Sequence, residues 1–320
     1  MTKEDLRIVF LGTPEFAVES LEAIIAGGYN VVGVVTMPDK PAGRGHKMYQ
    51  SPVKECALRH GIRVMQPVRL KDPDFVDELR SLNADLFVVI AFRMLPEIVW
   101  SMPHLGTFNL HASLLPRYRG AAPINRAVMN GDTETGVTTF FLKHEIDTGD
   151  IIQQERIAIL PSDNVGDVHD RLMHLGARLT VETIDAIVAG SLSTTPQDKL
   201  IGDIEPTPAP KIFKEDCEIN WAAPAEVVHN HVRGLSPYPA AWSTLVSDGE
   251  VVGAMKIFET KIIDGESPVA PGSVVAENGR IIVGTGSAPV EILSLQAPGK
   301  RRVATADYLR GARLSAPEFR

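Results

Sequence analysis

The chain has 320 residues, of which 44% are hydrophobic and 22% charged, with a formal net charge of −8 and a mean hydropathy of +0.01. That length exceeds what one core usually organises, so two domains are expected, and the composition excludes a disordered or fibrous chain. No apolar run is long enough to cross a bilayer, and the one in MTKEDLRIVFLG is too short for a signal-peptide core. These features predict a cytoplasmic enzyme with no membrane partner, expected as a monomer. The acidic total argues mildly against nucleic acid, but its distribution does not. Residues 1–210 carry 20 basic and 27 acidic side chains, and residues 211–320 carry 12 and 13. Lys300, Arg301, Arg302, Arg310 and Arg313 then allow a local positive field near the C-terminus, with Asp307 the one acid among them. Cys56 and Cys217 match no metal or redox spacing and read as buried thiols of a reducing compartment.

In chain order, Arg7 to Leu11 reads as a buried strand that turns at Gly12. Thr13 is placed to cap the next helix, with Pro14 at its first position and Glu15 near its positive end. Val18, Leu21, Ile24 and Ile25 give that helix an apolar face, Gly27 and Gly28 stop it, and Val31 to Thr36 is the next strand. Residues 37–52 (MPDKPAGRGHKMYQSP) combine Pro, Gly and positive charge and read as a mobile loop. A helix at 52–60, a strand at 62–65 and a helix at 73–82 follow. DLFVVIA (85–91) is apolar enough for a central parallel strand. Such alternation implies right-handed crossovers and an α/β, doubly wound sheet.

A long helix is expected over 164–189, with Val165, Val168, Leu172, Leu175 and Leu179 at helical spacing. Residues 191–210 lose periodicity and collect prolines. The expected organisation is a first domain over 1–190, a linker over 191–210 and a second domain over 211–320. In that second domain a helix at 224–233 precedes short runs (WSTLV, VVGAMKIF, GSVVAE, GRIIVGTG) spaced as in a small barrel or sandwich.

The chemistry-bearing residues cluster in two places. Strand alternation in TFNLHA (107–112) sends Asn109 and His111 to one face and Phe108 and Leu110 to the other. The chain then breaks at SLLPRYRG, so the pair sits at the carboxyl end of a strand, where open α/β sheets bind ligands. KHEIDTGDI (143–151) follows another strand, and turn chemistry alone accounts for an Asp at 147. An imidazole can carry a proton, a carboxylate can orient it, and an amide can donate to an oxyanion. With no Ser or Cys nucleophile nearby, the set suits transfer between two bound substrates. A polar strand end with a satisfied histidine explains the same residues. Metal chemistry is not expected, since His144 and Asp147 lie on a loop without a third ligand.

FNLHASLLPRYRGAAPI, with HEIDTGDII downstream, resembles the core of the formyltransferases that use 10-formyltetrahydrofolate. IVFLGTPEFAVESLEAI, PDKPAGRGHKM followed by SPVKECA, RGLSPYPAAW and PGKRRVATADYLRG are similar to the branch of that family acting on methionyl-tRNA. The resemblance implies a Rossmann-like catalytic domain and a C-terminal β-barrel of the OB type. It also implies transfer of the folate's formyl group to the methionine amino group of initiator tRNA. By motif, Asn109, His111 and Asp147 match the catalytic trio. Ser113, Leu114, Leu115 and Pro116 match the segment lining the folate site. Arg44 and Lys47 match the loop that approaches the tRNA. The segment AFRMLP (91–96) departs from a Tyr-Gly pair frequent in the family, close to the expected folate pocket.

Three rivals are weighed against this. A nicotinamide dehydrogenase needs a G-x-G-x-x-G turn that GTPEF lacks. A formyltransferase for a nucleotide sugar or another small amine shares the core motifs but has no use for a barrel with a basic tail. An RNA-binding module would leave the catalytic-looking core unexplained.

Overall fold

The computed structural model describes residues 2–42, 47–202 and 205–320. Through the first part of the chain the elements run β1 (Arg7–Gly12), α1 (Glu15–Ala26), β2 (Asn30–Val35), β3 (Lys40–Ala42), β4 (Lys47–Tyr49) and α2 (Pro52–Arg59). They continue with β5 (Val64–Met65), α3 (Pro73–Ser81), β6 (Leu86–Ile90), α4 (Glu97–Trp100), β7 (Thr107–His111) and β8 (Arg119–Gly120). Then come α5 (Pro123–Met129), β9 (Glu134–Phe141), β10 (Ile151–Ala158), α6 (Val165–Val188) and the two-residue β11 (Pro208–Ala209).

The main sheet has the order β10-β9-β7-β6-β1-β2-β5. Its five strands from β5 to β7 are parallel, and β9 joins β7 antiparallel. Numbered among themselves, the parallel strands lie 3-2-1-4-5, so the winding direction reverses between β1 and β6. That reversal opens a crevice beyond the carboxyl ends of the strands. The central strands are apolar on both faces because helices cover both: every residue of LFVVI in β6 is buried. Phe10, Phe87, Phe108 and Phe140 are among the largest fully buried side chains.

Two local expectations are corrected. Helix α1 begins at Glu15, with Pro14 as the capping residue at φ −78° and ψ 173°. That extended ψ holds Pro14 outside the first turn, and the Thr13 hydroxyl is buried without a partner instead of capping. Part of the expected loop over 37–52 is an antiparallel ribbon, β3 against β4, with Lys40 opposite Tyr49. Arg44 lies outside the described residues, and Lys47 is described only by its backbone place on β4.

The chain forms two compact units. The first comprises residues 1–120, 135–157 and 169–209, and the second 121–134, 158–168 and 210–320. In the second unit, α7 (Ala225–Leu235) precedes β12 (Ala241–Ser247), β13 (Glu250–Ile262), β14 (Val274–Glu277), β15 (Arg280–Val283), β16 (Val290–Gln296) and β17 (Val303–Ala304). A short α8 (Thr305–Gly311) and β18 (Glu318–Phe319) end the chain. The sheet order β14-β15-β16-β13-β12-β18 nearly closes into an antiparallel barrel, because Glu318 also bridges Ser273 just before β14. Its core gathers Trp221, Val228, Val232, Leu245, Ile257, Ile292 and Phe319. Helix α5 packs against α7 within this unit, with the Asn125 amide donating to the Gly234 carbonyl at 2.8 Å.

Both cysteines are free and buried. Burial, and then its S–H bond to the Glu22 carboxylate, push the Cys56 thiol up to about 12, and burial also raises Cys217. Neither thiol should therefore react with a disulfide reagent in the native protein, while both should react in denaturant. Phe108→Ala should lower stability by roughly 3–5 kcal/mol, read by denaturant titration, because it empties a fully buried site.

Candidate active site

Strand β7 delivers its side chains as the alternation of TFNLH requires. Phe108 and Leu110 enter the core, and Leu110 lies so close to α6 that a Cβ on Gly176 would stand 2.6 Å from its Cδ2. Asn109 and His111 point the other way, with Asn109 level with Val89 of β6 and His111 with Thr138 of β9. His111 is the last residue of the strand and is only 7% exposed.

A nearly buried imidazole must spend its N–H within the protein. Nε2 of His111 lies 2.8 Å from the Tyr118 carbonyl. A carbonyl oxygen only accepts, so Nε2 carries the proton, and in the neutral ring Nδ1 is the basic nitrogen. Nδ1 faces Oδ2 of Asp147 at 3.8 Å, too long for a direct hydrogen bond and within reach of an ion pair. The sequence-based expectation made Asp147 the group that fixes the tautomer. In the structure the Tyr118 carbonyl does so, and Asp147 faces the nitrogen that can gain a proton.

Asp147 is held from several sides. Its Oδ2 accepts the Gly120 N–H at 2.8 Å, and its backbone is left-handed at φ 54°, a conformation that Asp tolerates better than most residues. The turn also needs Gly149, where a Cβ would stand 1.6 Å from the Phe141 carbonyl oxygen. The amide of Gln197 donates to the carbonyls of Asp147 at 2.8 Å and Gly149 at 2.9 Å. Asn109 is half-buried, and its Oδ1 is buried with no hydrogen-bond partner among the described residues. Leaving an amide oxygen unpaired costs about 1–3 kcal/mol.

The segment from Ser113 to Pro116 is anchored by the neighbouring strands. Thr138 Oγ1 donates to the Ser113 carbonyl at 2.6 Å and accepts from the Leu115 N–H at 3.2 Å. Gln154 donates to the Leu115 carbonyl at 2.8 Å, and the Ser113 hydroxyl donates to the Arg117 carbonyl at 2.7 Å. Ser113, Leu115 and Pro116 are buried and Leu114 half-buried. Beyond the carboxyl end of β6, a cavity of about 600 Å³ is lined by Leu70, Lys71, Met94, Leu95, Pro96, Glu97 and Ile98. Arg93, the unusual residue of this segment, does not line it. Its guanidinium donates to the Val68 carbonyl at 2.9 Å and to that of Pro67, with the Phe92 ring 5.7 Å away.

His111 and Asp147 are thus brought together from residues 36 apart in sequence, with Asn109 on the same strand. Sequence reasoning missed the Tyr118 carbonyl, the Gly120 N–H, Thr138, Gln154 and Gln197, none of which carries a local signal. Among the described residues, Glu22, Cys56 and His60 have ligand-type atoms within 4.8 Å of one another. They lie at α1 and α2, and the Glu22 carboxylate is already taken by Arg59, His60 and Cys56.

The fold is a doubly wound sheet followed by a barrel, with an amide and an imidazole at one strand end and a carboxylate on a turn facing the imidazole. The chain belongs to the formyl transferase family: the "Formyl transferase" domain matches residues 6–184 and "Formyl transferase, C-terminal domain" residues 211–313. It is 59% identical over 317 residues to a methionyl-tRNA formyltransferase of Bacteroides fragilis, covering 98% of each chain. It is 48% identical over 321 residues to one of Porphyromonas gingivalis, covering 100% of this chain and 99% of that one. In fold it is similar to an N-formyltransferase from Helicobacter canadensis solved with folinic acid and dTDP-3-aminofucose. That match has a TM-score of 0.67 at 19% identity and covers 90% of this chain and 98% of the other.

If the Tyr118 carbonyl sets the tautomer, neutral His111 carries its proton on Nε2. Long-range proton–nitrogen NMR spectra should show Nδ1 as the unprotonated nitrogen, and the opposite pattern would refute the assignment.

Proposed function

We propose that the protein transfers the formyl group of 10-formyltetrahydrofolate to the free amino group of methionyl-initiator tRNA, acting as a cytoplasmic monomer without a metal. The single observation behind the chemical reading is the pairing of an unprotonated His111 Nδ1 with Asp147 Oδ2 at 3.8 Å. The substrate reading rests on kinship with the methionyl-tRNA enzymes at up to 59% identity over nearly whole chains. The sugar-modifying neighbours share only the fold, at about 19% identity.

The folate supplies a formyl carbon on N10, and the chain's own residues do the rest. The α-amino group of methionine has a reference pKa of roughly 7.7–8.0, so part of it is neutral near physiological pH. As its nitrogen bonds to the formyl carbon, Asn109 donates from Nδ2 to the developing oxyanion. His111 Nδ1 takes the proton that the amine loses, and the resulting imidazolium faces the Asp147 carboxylate, which stabilises it. The same nitrogen returns the proton to N10 as the carbon–N10 bond breaks, so the ring ends neutral. The half-buried Leu114 faces the donor, with Ser113, Leu115 and Pro116 holding the wall in shape. The apolar rim of the 600 Å³ cavity suits the flat aromatic part of the donor. We assign catalysis to residues 1–190, with 191–210 connecting onward while packing in part on the first unit, and tRNA binding to residues 211–320 aided by Arg44 and Lys47.

Single-turnover formyl transfer should fall about 100- to 10,000-fold in His111→Ala and Asp147→Asn. A wild-type rate in either would overturn the assigned roles. Charged initiator tRNA should be formylated and charged elongator tRNA should not, and transfer to an amino-sugar nucleotide alone would establish the rival substrate. The KM for tRNA should rise roughly 10-fold between about 50 and 200 mM salt for every two phosphates neutralised, while that for the folate stays nearly level.

A further inference from the structure

The stretch over 191–210 reads as a linker, yet part of it is strapped across the site. Ile151 and Thr195 exchange both backbone hydrogen bonds, at 2.9 and 2.8 Å. Further on, β11 pairs in parallel with β8, with the Arg119 N–H donating to the Thr207 carbonyl at 3.2 Å. Gly120 permits this approach, since a Cβ there would stand 2.5 Å from the Ala209 carbonyl oxygen at a φ of +128°.

Gln197 lies between these two attachments and is 2% exposed. Its amide is fully spent. Both Nε2 protons go to the carbonyls of Asp147 and Gly149, and Oε1 accepts from Arg119 Nε at 3.1 Å and from its terminal nitrogen at 2.7 Å. Arg119 precedes Gly120, whose N–H binds Asp147 Oδ2. One amide therefore ties the backbone that carries the Asp147 carboxylate to the side chain of Arg119, the residue before the Gly120 N–H that donates to that carboxylate. A buried side chain with purely structural duties could sit anywhere in the core, but this one bonds the turn that carries Asp147 and the side chain next to the Gly120 N–H that Asp147 accepts.

We propose that Gln197 is a positioning residue for the transfer step, acting through Asp147. The proposal rests on the reading of Asp147 and His111 given above. Loss of the two donors frees the turn over 146–149 to relax, and the carboxylate drifts from His111 Nδ1. Displacements on the order of 1 Å cost up to about 100-fold in rate.

The test uses full-length Gln197→Ala and Gln197→Glu in single-turnover transfer, with thermal unfolding as the check on folding. Glu keeps the volume and can still accept from Arg119, but it brings no N–H to the two carbonyls. Both variants should be slower by roughly 10- to 100-fold, with KM for tRNA and folate within about threefold of wild type. In the Asp147→Asn background, adding Gln197→Ala should slow transfer little further, as expected of two residues in one chain of action. A wild-type rate for Gln197→Glu would overturn the proposal and stands even if Gln197→Ala fails to fold. So would an undiminished effect in the double variant, which would place the action of Gln197 elsewhere. A wild-type rate for Asp147→Asn would sink the reading of Asp147 itself, and this proposal with it.

Discussion

The imidazole of His111 sits at the end of a sheet strand with almost no access to water, and its one N–H must find a partner within the protein. The ring gives its Nε2 proton to the Tyr118 carbonyl, which obliges the chain to turn back after Pro116 and pass beside the strand it has just left. Once that bond is made, Nδ1 can only face outward as an acceptor, and it faces a carboxylate.

The carboxylate needs a support as firm as the imidazole's. It comes from the Gly120 N–H, from a left-handed turn closed by Gly149, and from Gln197 in a segment 50 residues beyond Asp147. The same logic extends to the wall at Ser113–Pro116, whose backbone is held by Thr138 of β9 and Gln154 of the edge strand β10. Strands β9 and β10 thus extend the sheet and also hold the loop that follows β7. The orphaned Asn109 oxygen is the exception in this otherwise paired neighbourhood.

Similarity at two levels separates what is shared from what is particular. Chains about 19% identical keep the fold, including one solved with a folate derivative and an amino-sugar nucleotide. Near-complete chains 48–59% identical are methionyl-tRNA formyltransferases. At the Phe92–Arg93 departure, Arg93 donates to the carbonyls of Pro67 and Val68 and does not line the cavity beside it.

The sequence by itself determined the elements whose information is local. The 3.6-residue and two-residue periods placed α6 within a residue of its ends and put Asn109 and His111 on one face of β7. Unbroken apolar runs marked β1 and β6 as central strands. Local patterning did not reveal the ribbon of β3 and β4 inside a Pro- and Gly-rich stretch. Asp147 looked like a turn residue because it is one, and only folding brings it within 3.8 Å of His111. Gln197 had no signal at all: its partners lie 48 to 78 residues away, in a stretch without periodicity. Hydrogen bonds of that reach depend on where separate strands end up. A strand's facing is set by its own pleat, but the tautomer of a histidine and the support of a carboxylate are set by whatever the tertiary structure carries to them.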